Sequence, residues 1–113
     1  MEEVNYMKEH SMKLQRAPFE NIKKGQKTIE MRLYDEKRRQ IAVGDTVTFS
    51  CEDERLTVRV LALHRFPDFT ALYGAFPHSV LGSDDPKDME AYYSKEEQQR
   101  YGVLGIEIER ITI

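Results

Sequence analysis

The sequence has a single cysteine, Cys51, and no tryptophan. One thiol excludes an internal disulfide and a zinc site built on several thiolates. Glycine and proline are sparse, six and four in 113 residues, and no glycine-rich phosphate loop is present. No apolar run approaches the ~18–20 residues that a bilayer-spanning helix needs, so no membrane association is expected. The opening Met1-Glu2-Glu3-Val4-Asn5 is acidic and polar, where a secretory leader would be basic and then apolar. Positive charge is not in excess either, with seventeen Lys and Arg against twenty Asp and Glu. A strongly basic coat for long nucleic acid is therefore excluded. The three histidines, His10, His64 and His78, lack metal-ligand spacing. No metal and no other cofactor is expected, and the expected location is cytoplasmic.

What remains is enough for one core. The length suits a single domain, and 40% hydrophobic with 10% aromatic residues is the composition of a chain that folds. Charge is uneven along it. Residues 13–39 carry nine basic residues against four acids, whereas residues 84–97 carry six acids against two lysines. A local positive surface on a net-acidic protein suits a phosphate group; two solvated faces are the plainer alternative.

Residues 1–11 show little apolar periodicity and read as an N-terminal tail or short helix, with the domain proper over 12–113. Met12 to Gln15 alternates and suggests a short strand. Pro18 opens Phe19 to Lys24, with Gly25 after it, which is the order of a helix start and stop. Thr28 to Tyr34 alternates cleanly, with Ile29, Met31 and Leu33 on one face and Thr28, Glu30, Arg32 and Tyr34 on the other. Thr46–Cys51 and Leu56–Leu63 flank a charged turn and predict a hairpin, and Cys51 falls on its apolar face. Asp68 can cap a helix from Phe69, and Ser79 begins another short piece. Asp85-Pro86 opens a helical stretch through Tyr93, and Ser94 with Glu97 forms a capping box before Tyr101. Val103 to Ile113 returns to strand. The fold class expected is α+β, a mixed β-barrel with short helices inserted between strands. Its interior is expected to take Ile29, Met31, Leu33, Val47, Phe49, Val58, Val60, Leu104, Ile106 and Ile108.

One segment carries chemistry. Gly25-Gln26-Lys27-Thr28-Ile29-Glu30-Met31-Arg32 sets an acid and an arginine two apart on one strand face, where they project side by side. Lys27 sits at the preceding turn and can curl onto the same surface. A neighbouring arginine lowers an amine pKa and a glutamate restores it, so the balance decides between charge clamp and base. A solvent-facing salt-bridge ladder is the structural alternative.

This segment fits G-x-K-x-x-E-x-R, and the chain thereby resembles the ASCH domain family of small barrels related to the PUA fold. The preceding helix (PFENIKKGQK), the turn Val43-Gly44-Asp45 and the Tyr101-Gly102-Val103 lead into the last strand agree, from about Met12 to Ile113. The resemblance implies a PUA-like barrel with a cleft lined by Lys27, Glu30 and Arg32, and RNA or nucleotide as partner. Similar proteins of this size hydrolyse the amide of acetylated cytidine with a lysine, a threonine and a glutamate. The lysine maps to Lys27, but Glu30 stands at the threonine position, and the distal acid falls among Glu90, Glu96 and Glu97. Other relatives are ribonucleases, for which the same cleft would serve.

Two functions follow. In an RNA- or nucleotide-binding module, cleft cations meet phosphate while Tyr34, Tyr92 or Tyr93 stacks on a base, Tyr101 being assigned to the core. In a small hydrolase of a modified nucleoside, Lys27 is the base, Glu30 a proton shuttle and Arg32 an anchor for the developing oxyanion. A protein-interaction domain with no ligand is the third alternative.

Overall fold

The computed structural model describes residues 7–111. Five strands form one sheet in the order β1-β3-β4-β5-β2. They are β1 (Glu9–Lys13), β2 (Ile29–Leu33), β3 (Thr46–Cys51), β4 (Glu54–Phe66) and β5 (Val103–Arg110). Only the β1–β3 pairing is parallel; the other three are antiparallel. The sheet curls into a half-barrel whose edge strands are β1 and β2. Helix α1 (Arg16–Lys23) joins those two edges. Helices α2 (Phe69–Ala75), α3 (His78–Leu81) and α4 (Lys95–Tyr101) lie between β4 and β5, with a 3₁₀ turn over Pro86–Ala91. The fold is the expected α+β, PUA-like arrangement.

Local signals set most helix limits. Asp68 accepts a hydrogen bond from the Ala71 amide and starts α2. Ser94 and Glu97 form the reciprocal capping box of α4. Gly25 takes φ +79° just past α1, the left-handed conformation that lets the chain turn into β2 at little cost.

Two differences from the sequence-based expectation matter for the site. First, residues 9–11 belong to a strand, not to a tail or short helix; residues 1–6 of that stretch lie outside the described residues. β1 is an edge strand with only Met12 buried, so Glu9–Ser11 carry no apolar alternation to reveal them, and the strand expected over Met12 to Gln15 ends at Lys13. It is held by backbone pairing to β3 and by Asp45, whose carboxylate accepts from the Lys8 amide and from the His10 ring.

Second, the apolar alternation is real but there are two cores. Met12, Phe19, Ile22, Val47, Phe49, Val58, Val60, Leu104, Ile106 and Ile108 fill the concave side. Ile29, Met31 and Leu33 lie on the convex side with Phe69, Leu72, Tyr73, Leu81, Met89 and Val103, beneath α2, α3 and the 3₁₀ turn. β2 is thus covered on both faces. Glu30 pairs with Ile106 and Arg32 with Leu104, and directly paired residues share a face. The charged side of β2 therefore looks into the half-barrel.

Candidate functional site

A cavity of about 300 Å³ opens where the edges β1 and β2 face one another. Lys13, Leu14 and Gln15 form one wall, and Ala17, Pro18 and Asn21 of α1 another. Lys27, Glu30, Met31 and Arg32 form its floor, and Leu81, Gly82, Ser83, Asp88, Met89, Tyr92 and Tyr93 close it from the side of α3 and the 3₁₀ turn.

The floor holds three charges. Glu30 is 5% exposed and Lys27 4%, depths at which ionised groups persist only when paired. Lys27 Nζ lies 3.5 Å from Glu30 Oε1 and donates to the Leu81 carbonyl oxygen at 2.6 Å. Arg32 approaches the other carboxylate oxygen with both Nε and Nη2 at 2.9 Å. Its Nη2 also donates to the Lys13 carbonyl oxygen at 2.8 Å, so one guanidinium spans the gap between β2 and β1. Burial lowers the Lys27 pKa below the ordinary lysine value; Glu30 opposes that shift and Arg32 adds to it. The fit around the amine is close, since a Cβ at Gly82, which has φ +72°, would stand 3.2 Å from Lys27 Cδ.

Of the residues singled out in the sequence, Lys27, Glu30, Arg32, Tyr92 and Tyr93 all line this cavity. Tyr92 is 56% exposed, and its hydroxyl donates to Gln15 Oε1 across the mouth at 3.0 Å. Tyr93 is more committed. Its ring stacks on Phe69 with centroids 5.7 Å apart. Burial raises its phenol pKa, and the charges acting on it are those of Arg32, Arg38, Glu30 and Asp35. Tyr34 is not brought into the cavity. It lies two residues beyond Arg32, in a second hollow with Arg65, Phe66 and Tyr101.

None of Glu90, Glu96 and Glu97 lines the cavity. Glu97 is taken by the α4 capping box and Glu90 lies 3.9 Å from Lys95. The carboxylate that arrives from this region is Asp88. It accepts from Ser83 Oγ at 2.7 Å, and Ser83 in turn accepts from the buried Tyr73 hydroxyl at 2.7 Å. Asp88, Ser83, Asn21 and Gln15 also line the cavity, and no motif in the sequence marks them. Asp85-Pro86 is the one signal that places an acid early in a turn, since Asp85 caps it through the Lys87 amide. Among the described residues no group of three or more His, Cys, Asp or Glu gathers that could hold a metal ion, and no helix is long and apolar enough to cross a membrane.

A mixed sheet curled into a half-barrel, with several helices packed on it, is a PUA-like α+β arrangement. The chain belongs to the ASCH domain family, whose model matches residues 12–112. It is similar to the crystal structure of the hypothetical protein PH0355, with TM-score 0.82 and 35% identity over 91% of this chain and 99% of that one. It is also similar to the solution structure of protein PF0455 from Pyrococcus furiosus, with TM-score 0.70 and 35% identity over 93% and 99% of the two chains. Among curated proteins no relative matches.

Proposed function

We propose that this chain binds RNA or a nucleotide, with one nucleoside unit seated in the β1–β2 cavity. The observation that carries this is the cavity itself. At about 300 Å³ it stands at the low end of small-molecule sites, which run from ~300 to 1,000 Å³, and its floor presents donors and an acceptor side by side. Glu30, Lys27, Asn21 and Ser83 suit the polar edge of a base, while Leu14, Pro18, Met31 and Met89 suit its flat faces. Tyr92, with an open ring at the mouth, is the stacking partner, because Tyr93 already packs on Phe69. Lys13, exposed where the cavity opens, suits phosphate. An RNA ligand also fits the expected cytoplasmic location.

A second reading is favoured by one observation, the buried Lys27 amine with its lowered pKa. An amine that can lose its proton is a general base, which suits hydrolysis of an acylated nucleoside such as acetylated cytidine. Asp88, lining the same cavity, supplies the distal carboxylate that this chemistry employs.

A thermal-shift screen with nucleosides, acetylated cytidine, nucleotides and short RNAs tests the first reading. A specific ligand at 100 times its Kd adds about 2.7 kcal/mol of stability, and absence of any shift across the panel rejects it. Lys27→Met separates the two readings. In the binder, affinity falls by about 1–3 kcal/mol, the scale of one charge-assisted bond. In the hydrolase, turnover of acetylated cytidine collapses while its binding changes little.

A further inference from the structure

The second hollow has a composition of its own. It measures about 400 Å³, and Tyr34, Arg65, Phe66, Pro67 and Tyr101 line it. The guanidinium carbons of Arg65 and Arg39 lie 4.1 and 4.9 Å from the centroid of the Tyr34 ring, and that of Arg100 lies 5.2 Å from the Tyr101 ring. Arg38 is paired with Asp35. Arg39 and Arg65 have no carboxylate partner among the described residues; the Arg39 side chain donates to the Tyr34 carbonyl oxygen. Two exposed cations are thus oriented by an aromatic ring and not neutralised.

The hollow also lies next along the sheet from the cavity, with Tyr34 two residues beyond Arg32. Arg32 and Arg65 both pair with Leu104, so they stand on one face of the sheet. Tyr34 packs against the concave core on that same face. Residues i and i+2 of a strand are about 6.6–6.8 Å apart, which is the reach of one extended nucleotide step.

From this placement we infer that the Tyr34–Arg39–Arg65 hollow is a second subsite of the same site, taking the phosphate and base adjacent to the nucleoside unit in the cavity. The preferred ligand is then a single strand of RNA and not a free nucleotide. Guanidinium groups held over a tyrosine ring offer charge for phosphate, and the ring beside them offers a plane for a base. This inference rests on the reading of the cavity as a nucleoside site.

The test uses a fluorescein-labelled, single-stranded ten-nucleotide RNA of mixed sequence, titrated by fluorescence polarisation at several salt concentrations. The four ordinary nucleosides are followed in parallel by thermal shift. Expected for Arg39→Gln/Arg65→Gln is at least a tenfold loss of RNA affinity, with nucleoside binding and melting temperature unchanged. Its log–log salt slope becomes shallower by about 1.4, at ~0.7 per single-strand phosphate for two contacts. Arg55→Gln, an exposed arginine on the β3–β4 hairpin, controls for general charge and leaves affinity in place.

RNA affinity and slope unchanged in the double variant overturn the second subsite and leave the cavity reading standing. So does binding of nucleosides without binding of the RNA. If the double variant loses RNA while Lys27→Met and Arg32→Gln do not, the cavity reading falls and the continuous site with it. Absence of binding to either probe rejects both.

Discussion

Lys27 Nζ and Glu30 Oε1 lie 3.5 Å apart at the floor of a cavity, and Arg32 holds the other oxygen of the same carboxylate at 2.9 Å. One acid thus serves two cations. The second anchor of the lysine is a neutral carbonyl, that of Leu81.

Sharing one counter-ion makes the two partners unequal. Glu30→Gln leaves Lys27 and Arg32 facing each other across a neutral amide, and stripping a buried charge of its partner costs about 3–5 kcal/mol. Lys27→Met keeps the apolar stem and leaves Glu30 paired with Arg32, so its cost is smaller. Urea unfolding of both variants checks the ranking; equal losses would remove Glu30 from its role as shared counter-ion.

Gly82 and Gly25 form a matched pair for testing how tightly Lys27 is held. Both have left-handed φ values, +72° and +79°, but a Cβ at Gly25 meets nothing within 4 Å whereas one at Gly82 meets Lys27 Cδ at 3.2 Å. Alanine at either position pays the left-handed backbone penalty of about 1–2 kcal/mol. Gly82→Ala adds displacement of the lysine, so it is the more destabilising and alone weakens ligand binding in the cavity. Chemical denaturation of both variants measures the difference, and identical losses would show that Lys27 moves aside freely.

Asp45 ties β1 to the turn before β3. Burial pushes its carboxyl upward, but hydrogen bonds from His10, Ala42 and Lys8 outweigh it and hold the pKa below the ordinary carboxylate value. The native state then binds fewer protons than the unfolded one. This stabilisation is present above the unfolded value of ~3.9 and is lost as pH falls through the lower native value. Asp45→Asn is accordingly less stable than the wild type near pH 6, and the gap narrows below about pH 4. Melting temperatures across this range decide it; a gap independent of pH removes the carboxylate charge from the explanation.

The readable parts of the sequence were those with local chemistry. Asp68, the Ser94–Glu97 box and Gly25 mark helix limits through side-chain caps and positive φ. The spacing of Lys27, Glu30 and Arg32 likewise groups three cavity residues within one short segment. What stayed hidden was non-local. Alternation in β2 shows that its two faces differ, but which one turns inward depends on α2, α3 and the 3₁₀ turn covering the outside. Tyr34 follows the same alternation as Arg32, yet the cavity ends before reaching it. Asp88 sits in a single irregular turn, where no periodicity points a side chain anywhere.

The pairing of β2 with β5 has a consequence for the order of assembly. Ile29 lies opposite Glu107 and Leu33 opposite Val103, so the strand bearing the charged motif is synthesised early and finds its neighbour late. Local structure such as the β3–β4 hairpin closes a short loop and forms first, whereas distant pairings wait on loop closure. Until β5 docks, β2 lacks its sheet partner, and Lys27, Glu30 and Arg32 stand in water without the walls that give them their chemistry. The cavity is therefore a late product of folding, and pulsed hydrogen exchange should show β2 amides gaining protection together with those of β5 and after those of the hairpin.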